Sequence, residues 1–216
     1  MKRLALLLLI CTAAMAQENQ RMFARITVIA PREGLARQFE EGYKRHLDWH
    51  RGAGDRWTWY GWTVATGERL GWFIDGTFDH AAEDFDAAVL PAEDVADNEK
   101  NVAPFGRFVS SSFYRLRADL SRLPSERLAA PLATFTMVQV RPEKQAAFEK
   151  ALASRELLVF EQLAGGPHPS YLLVAPADKL SQVVLSRILA AGDPYERATS
   201  EMVRFRRDLT YVPASQ

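Results

Sequence analysis

The sequence predicts an α+β fold built from two successive βαββαβ units, and three observations carry that prediction. A motif with arginine, arginine, aspartate, leucine and proline at matching positions occurs twice, at residues 114–124 and 203–213. Strand-like and helix-like hydrophobic periods follow the same order in both halves. Segment 57–64 carries bulky residues on both faces, which predicts a sheet that is covered on both sides. An internal repeat of this kind indicates the architecture before any single element does.

The first repeat is predicted to span residues 17–120. Its hairpin turn contains Gly67, a residue type that supplies the positive φ such turns often need. The predicted elements are, in order, a strand Phe23–Ala30, a helix Glu33–Arg51, hairpin strands Trp57–Ala65 and Leu70–Phe78, a helical region to about Asn101, and a strand Phe105–Leu116.

The second repeat is predicted to span residues 132–216, after a linker at 121–131 that contains two prolines. The predicted elements are a strand Leu132–Val140, a helix Glu143–Ser154, strands Glu156–Leu163 and Ser170–Val174, a helix Asp178–Ala190, and a strand Met202–Tyr211. Both repeats therefore have the element order of the ferredoxin-like split unit. We expect their two sheets to pack together as an α+β barrel within one chain.

The first residues have the pattern of a secretory signal peptide. Lys2 and Arg3 precede an apolar run, and Ala14-Met15-Ala16 offers the small-x-small pattern that signal peptidase cleaves. The apolar run is shorter than the roughly 20 residues that span a bilayer. We therefore expect residues 1–16 to be removed near Ala16, leaving a periplasmic or secreted protein with no stable membrane insertion.

Composition excludes several functional classes. The chain has 27 basic and 27 acidic residues, a poor match for nucleic-acid binding, which needs clustered positive charge. Its one cysteine, Cys11, lies in the leader, so the mature chain has neither disulfides nor thiol chemistry. No P-loop, dinucleotide fingerprint or serine-nucleophile elbow is present.

The first predicted helix holds the candidate catalytic residues. At about 100° per residue, His46 and His50 share the apolar face with Phe39 and point toward the sheet. This i, i+4 pair could ligate a metal, act as a base or bind a ligand; alternatively, both histidines are structural, held by carbonyl or carboxylate partners. No spacing marks a third ligand, so the sequence assigns no metal site.

A ligand pocket is predicted in the first repeat, between its helices and its sheet. The first repeat is longer than the second around this helix and the following hairpin, and the added length is rich in aromatic residues. Aromatic walls with a few polar groups suit a small apolar ligand, but they also describe a well-filled core. The candidate ligand-binding residues are Tyr43, His46, His50, Trp59, Tyr60, Trp62 and Trp72.

Tandem ferredoxin-like units joined sheet to sheet resemble the dimeric α+β barrel superfamily, with the usual two subunits fused. The helix end 46–50 and the aromatic hairpin after it are most similar to NIPSNAP-like and antibiotic-biosynthesis-monooxygenase-like members. The resemblance implies a small-molecule ligand. It leaves open a haem- or metal-dependent or cofactor-free monooxygenase or isomerase, and a structural or partner-binding barrel. Because fusion supplies the dimer internally, the chain is expected to be a monomer or a homodimer.

Overall fold

The computed structural model describes residues 21–185 and 188–214. The predicted signal peptide, residues 1–16, lies outside the described residues. Among the described residues, no helix has the length and apolar character needed to cross a membrane.

The first half contains four strands and two α-helices in the predicted order. The hairpin strands are shorter than predicted, because the chain around Trp57 and Leu70 forms bends and turns instead of pairing as regular strand. The elements are β1 Phe23–Pro31, α1 Ala36–Ala53, β2 Tyr60–Val64, β3 Phe73–His80, α2 Pro91–Asn101 and β4 Gly106–Leu116.

The second half repeats the order with shorter helices. Two predictions are corrected here. The helix expected at 178–190 is confined to Leu180–Leu185 among the described residues. The last strand begins earlier than predicted, at Arg197, and ends at Phe205 because Arg207–Leu209 turns as a 3₁₀ helix. The elements are β5 Leu132–Gln139, α3 Gln145–Leu152, β6 Leu158–Ala164, β7 Ser170–Ala177, α4 Leu180–Leu185 and β8 Arg197–Phe205.

The eight strands form one closed antiparallel barrel, which confirms the predicted fold class. Each half contributes a sheet in the ferredoxin-like order, β4-β1-β3-β2 and β8-β5-β7-β6. Two seams close the barrel, β2 against β8 and β4 against β6, with Trp62 opposite Phe205 and Tyr114 opposite Gln162. The seams are equivalent, so the two halves are related as two subunits would be.

Side chains that alternate along the strands separate the barrel interior from two helical layers. On β1, Ile26 and Val28 belong to the interior core, whereas Ile29 packs with Phe39 under the first-half helices. The predicted linker is part of this core: Leu128 inserts into the barrel with 1% exposure. The helices of each half cover the outer face of that half's own sheet.

The repeated arginines join each half to the other through ion pairs. Arg117, just after β4, pairs with Glu149 on α3 at 2.6 Å. Arg206, just after β8, pairs with Glu40 on α1 at 2.6 Å. Each half's last strand thus binds the first helix of the other half.

Candidate functional site

Helix α1 carries both candidate histidines to the outer face of the first sheet. It ends at Gly54, whose φ of 67° reverses the chain and caps the helix with a bond to the Arg51 carbonyl. The reversal returns Asp55 to the last turn, where its Oδ2 lies 2.8 Å from Nδ1 of His50. The two atoms are close, although the angle is not that of a hydrogen bond. His46 and His50 are both buried, as the apolar face of the helix predicts.

Helix α2 faces α1 with a run of polar side chains. It begins at Pro91, and Asp94 in its first turn suits the positive end of the helix dipole. Asp97 Oδ1 lies 2.9 Å from Nδ1 of His46, and Asn98 donates from Nδ2 to Nε2 of His46 at 3.0 Å. The helix therefore orients His46 from both ring nitrogens.

A third side chain that could bind a metal together with His46 and His50 is Asp94, which the sequence did not mark. Its Oδ1 lies 3.4 Å from Nε2 of His46 and 3.8 Å from Nε2 of His50, and the two Nε2 atoms are 3.2 Å apart. We call His46, His50, Asp55, Asp94 and Asp97 the histidine cluster. The acidic residues spaced along one face of α2 were the available signal, but only helix packing shows which of them meets the histidines.

The sheet under the histidine cluster carries a buried acid. Tyr43 donates to Oδ2 of Asp75 at 3.1 Å, and Oδ1 of Asp75 has no hydrogen-bond partner among the described residues. Burial raises the pKa of Asp75 to about 6, although Arg25 and Tyr43 act in the opposite direction. Burial, together with the Asp75 carboxylate, also raises the pKa of Tyr43 well above its usual value.

Burial lowers the pKa of His46, and the neighbouring His50 adds to this effect. Its contact with Asp97 and the nearby Asp94 charge oppose the shift. The space between the histidines and Asp75 measures about 40 Å³, enough for only a few molecules the size of water. A porphyrin does not fit between α1 and the sheet, so these residues do not form a haem site.

The predicted ligand-binding residues do not share a single pocket. Tyr43, His46 and His50 lie on the helical side of the sheet, together with Trp59, whose Nε1 donates to Asp55 at 2.8 Å. The others lie inside the barrel, on the opposite side of the sheet: Tyr60, Trp62 and Trp72. The reason is the two-residue period of a strand, which sends neighbours such as Trp59 and Tyr60 to opposite faces.

A larger space lies inside the barrel, where both halves contribute walls. It measures about 200 Å³. We call it the barrel cavity. Arg69 stands at its polar end and forms a two-pronged ion pair with the buried Glu201, with Nη2 2.6 Å from Oε2. Its apolar walls are formed by Ile26, Val28, Ile74, Phe135, Met137 and Leu172, and its polar groups include Ser110, Ser112, Tyr114 and Gln162.

Comparison with known proteins identifies the fold alone. The sequence matches no family model and no curated protein. An anthrone oxidase-like protein aligns over 90% of this chain and 94% of its own at 9% identity, with a TM-score of 0.57. A proposed monooxygenase of Fusobacterium nucleatum aligns over 85% of this chain and 91% of its own at 9% identity, with a TM-score of 0.59. A chlorite dismutase of Candidatus Nitrospira defluvii aligns over 88% of this chain and 92% of its own at 6% identity, with a TM-score of 0.57.

These likenesses cover nearly the whole barrel in each case. The chain has the fold of the dimeric α+β barrel superfamily, with both halves of the barrel in one polypeptide. Because superfolds of this kind host unrelated chemistries, the activity has to be argued from this chain's own sites.

Proposed function

We propose that the protein binds a small, uncharged, largely apolar organic molecule in the barrel cavity. The observation that carries this proposal is the difference in size between the two spaces, about 200 Å³ inside the barrel against about 40 Å³ under α1. Only the larger space admits an organic molecule. This keeps the predicted ligand class but moves the site to the other face of the first sheet, where the second half also contributes.

The lining of the barrel cavity favours a neutral ligand with one polar group. Its walls are mostly aliphatic and aromatic, which favours transfer of apolar surface out of water. The Arg69 guanidinium is neutralised by Glu201, so the cavity offers no unpaired charge. Ser112, Gln162 and Tyr114 supply hydrogen-bonding groups near the polar end. Phenols and indoles have this combination of a flat apolar body and one donor.

The test is a panel of neutral phenols and indoles, screened by thermal shift and followed by calorimetry. A ligand that binds only the folded state raises the melting temperature. Val28→Phe fills the cavity and is expected to weaken binding at least tenfold. The matched control is Val109→Phe, since Val109 is exposed and lies outside the cavity. Equal affinity of both variants would place the ligand elsewhere.

A second candidate is oxidation of a small organic molecule at the histidine cluster. Two observations favour it: the fold neighbours include an anthrone oxidase-like protein and a proposed monooxygenase, and Asp75 is a buried acid with a pKa of about 6 beside the cluster. Oxygen consumption with anthrone and phenols tests it. Loss of turnover in Asp75→Asn supports the candidate, and undiminished turnover in that variant rejects it.

Export is part of the proposal, because the leader pattern predicts it. Expression of the full chain with its leader in a bacterial host is expected to yield periplasmic or secreted protein. Amino-terminal sequencing is expected to begin at Gln17. Cytoplasmic protein that retains Met1 would remove the export prediction without affecting the barrel ligand.

A further inference from the structure

We propose that the histidine cluster binds one divalent first-row transition-metal ion through Nε2 of His46, Nε2 of His50 and Oδ1 of Asp94. The inference concerns the outer face of the first sheet and is independent of a ligand in the barrel cavity. Its readout is metal binding, so it also stands apart from any oxidation reaction.

The spacing of the three atoms matches that of ligands around one metal ion. Their separations are 3.2 Å between the two Nε2 atoms, and 3.4 and 3.8 Å from those atoms to Asp94 Oδ1. A triangle with these sides has a circumscribed circle of radius about 2.0 Å, so one point lies at metal-bond distance from all three atoms. Ligands about 2.1 Å from a tetrahedral ion are separated by about 3.4 Å, close to the mean of the three distances.

Each outer ring nitrogen has a carboxylate close to it, as around metal-bound histidines, although only the His46–Asp97 contact has the angle of a hydrogen bond. Nδ1 of His46 lies 2.9 Å from Asp97, and Nδ1 of His50 lies 2.8 Å from Asp55. A carboxylate beside Nδ1 favours the tautomer with the proton on that atom, which leaves a lone pair on Nε2. On His46 this lone pair accepts a hydrogen bond from Asn98 Nδ2 at 3.0 Å, a bond that a bound metal ion would replace. With the proton of each ring on Nδ1, the two Nε2 lone pairs face each other across 3.2 Å inside the protein, an arrangement that a cation between them relieves.

The charges around the space also favour a cation. Asp94 and Asp75 line it, and Asp55 and Asp97 stand directly behind the histidines. Arg25 is the one arginine or lysine that lines the space among the described residues. Asp75 has an unpartnered, buried Oδ1, a group whose burial is costly without a partner. The remaining polar neighbours, Thr27, Tyr43 and Asn98, are neutral groups.

The ligand types select the class of metal. Two imidazoles and one carboxylate suit Zn²⁺, Fe²⁺ or Co²⁺, whereas Ca²⁺ and Mg²⁺ prefer sets of oxygen ligands. Three protein ligands leave at least one coordination position for water or another small molecule. Asp94 is the entry side, since its side chain is 28% exposed while both histidines are almost fully buried.

The first experiment uses untagged, EDTA-treated wild-type protein with Zn²⁺ and with Co²⁺. We expect one ion per chain by calorimetry and elemental analysis, a visible Co²⁺ spectrum, and a higher melting temperature with Zn²⁺. No binding up to about 1 mM of either ion, a value typical of negligible affinity, would overturn the proposal. This measurement needs no variant, so it does not depend on how well a variant folds.

The second experiment places the ion with variants of similar shape. Asp94→Asn and the double variant His46→Gln, His50→Gln are expected to weaken Zn²⁺ binding at least 100-fold, and Asp97→Asn 10- to 100-fold through the orientation of His46. The controls are Asp48→Asn, on the exposed face of the helix α1 that carries both histidines, and His168→Gln, an exposed histidine outside the cluster. Unchanged affinity in Asp94→Asn and the double variant, or equal loss in the controls, would reject this site.

Discussion

The two helical layers of the molecule have the same topology but opposite chemistry. Thr27 and Val138 each lie four positions before a matched proline, Pro31 or Pro142, so they occupy equivalent places in the two halves. Thr27 pairs with Asp75 across the first sheet, and Val138 pairs with Tyr171 across the second. The first pair lies under buried polar groups, whereas the second pair belongs to an apolar cluster. The two sheets are therefore alike in strand order and differ in the side chains on their outer faces.

The helices of the two halves also differ in length. In the first half α1 and α2 have 18 and 11 residues, whereas in the second half α3 has 8 and α4 has 6 in the part of the chain that the structure describes. Short helices gain little from their own hydrogen bonds and depend on packing, and Phe148 and Leu152 of α3 are both 0% exposed. We infer that the second helical layer chiefly stabilises the barrel. The longer first layer can therefore hold buried polar groups, which cost stability but can bind ligands.

The largest expected effect is that of Phe148→Ala in the second helical layer. The substitution leaves a cavity where a fully buried ring stood, and we expect a loss of about 3–5 kcal/mol in the free energy of unfolding. Urea denaturation of wild type and variant measures it. Metal binding should persist in the folded variant, because the cluster lies in the other layer. A loss below about 1 kcal/mol would contradict a stabilising role for α3.

Under the first helical layer, Asp75→Asn is expected to raise the free energy of unfolding by an amount that depends on pH. The pKa of Asp75 rises from 3.8 to about 6 on folding, so the folded state binds more protons between these values, and the destabilisation grows as pH rises through them. It reaches at most about 3 kcal/mol above pH 6. Asparagine removes the charge.

Urea denaturation between pH 4 and pH 7, with EDTA present, measures this effect. The stability of Asp75→Asn relative to wild type should grow across that range, while other titrating groups cancel in the difference. A difference that stays constant would mean that the carboxylate is not buried as the structure has it.

The smallest change in stability is expected from the two ion pairs that occupy equivalent places in the two halves. Arg117 and Arg206 have 17% and 19% exposed side chains and make equivalent bonds to Glu149 and Glu40. Replacing either arginine by methionine should cost about 1 kcal/mol, as partly exposed ion pairs do. Chemical denaturation of both variants should give values within about 0.5 kcal/mol of each other. A much larger loss in one of them would show that the two ion pairs are not equivalent.

The fold was accessible from the sequence because it rests on local patterns. The repeated motif at 114–124 and 203–213 and the change of hydrophobic period along each half require no knowledge of distant contacts. Element ends were less accessible. The predicted end of the last strand near Tyr211 failed because alternation continues past Phe205, whereas the chain turns there and returns to pair Tyr211 with Trp59 as an isolated bridge.

The candidate site was accessible in part. Helical spacing placed His46 and His50 on one buried face, since both belong to a single regular element. Asp94 was not accessible, because it lies 44 positions after His50 and meets it only where α2 packs on α1. Strand parity also divides the aromatic residues, so that Trp59 faces the cluster and Tyr60 faces the barrel.

The sequence alone therefore determined the repeat, the order of elements and the buried histidine face, because periodicity acts over neighbouring residues. The tertiary structure decided which carboxylates surround those histidines and how much space lies beside them. It also decided that the space inside the barrel is larger than the space under α1. These depend on helix packing and on barrel closure, which join residues far apart in the chain. The distances that define the metal site exist only after α2 has packed on α1, and the walls of the barrel cavity exist only after the two halves have closed into a barrel.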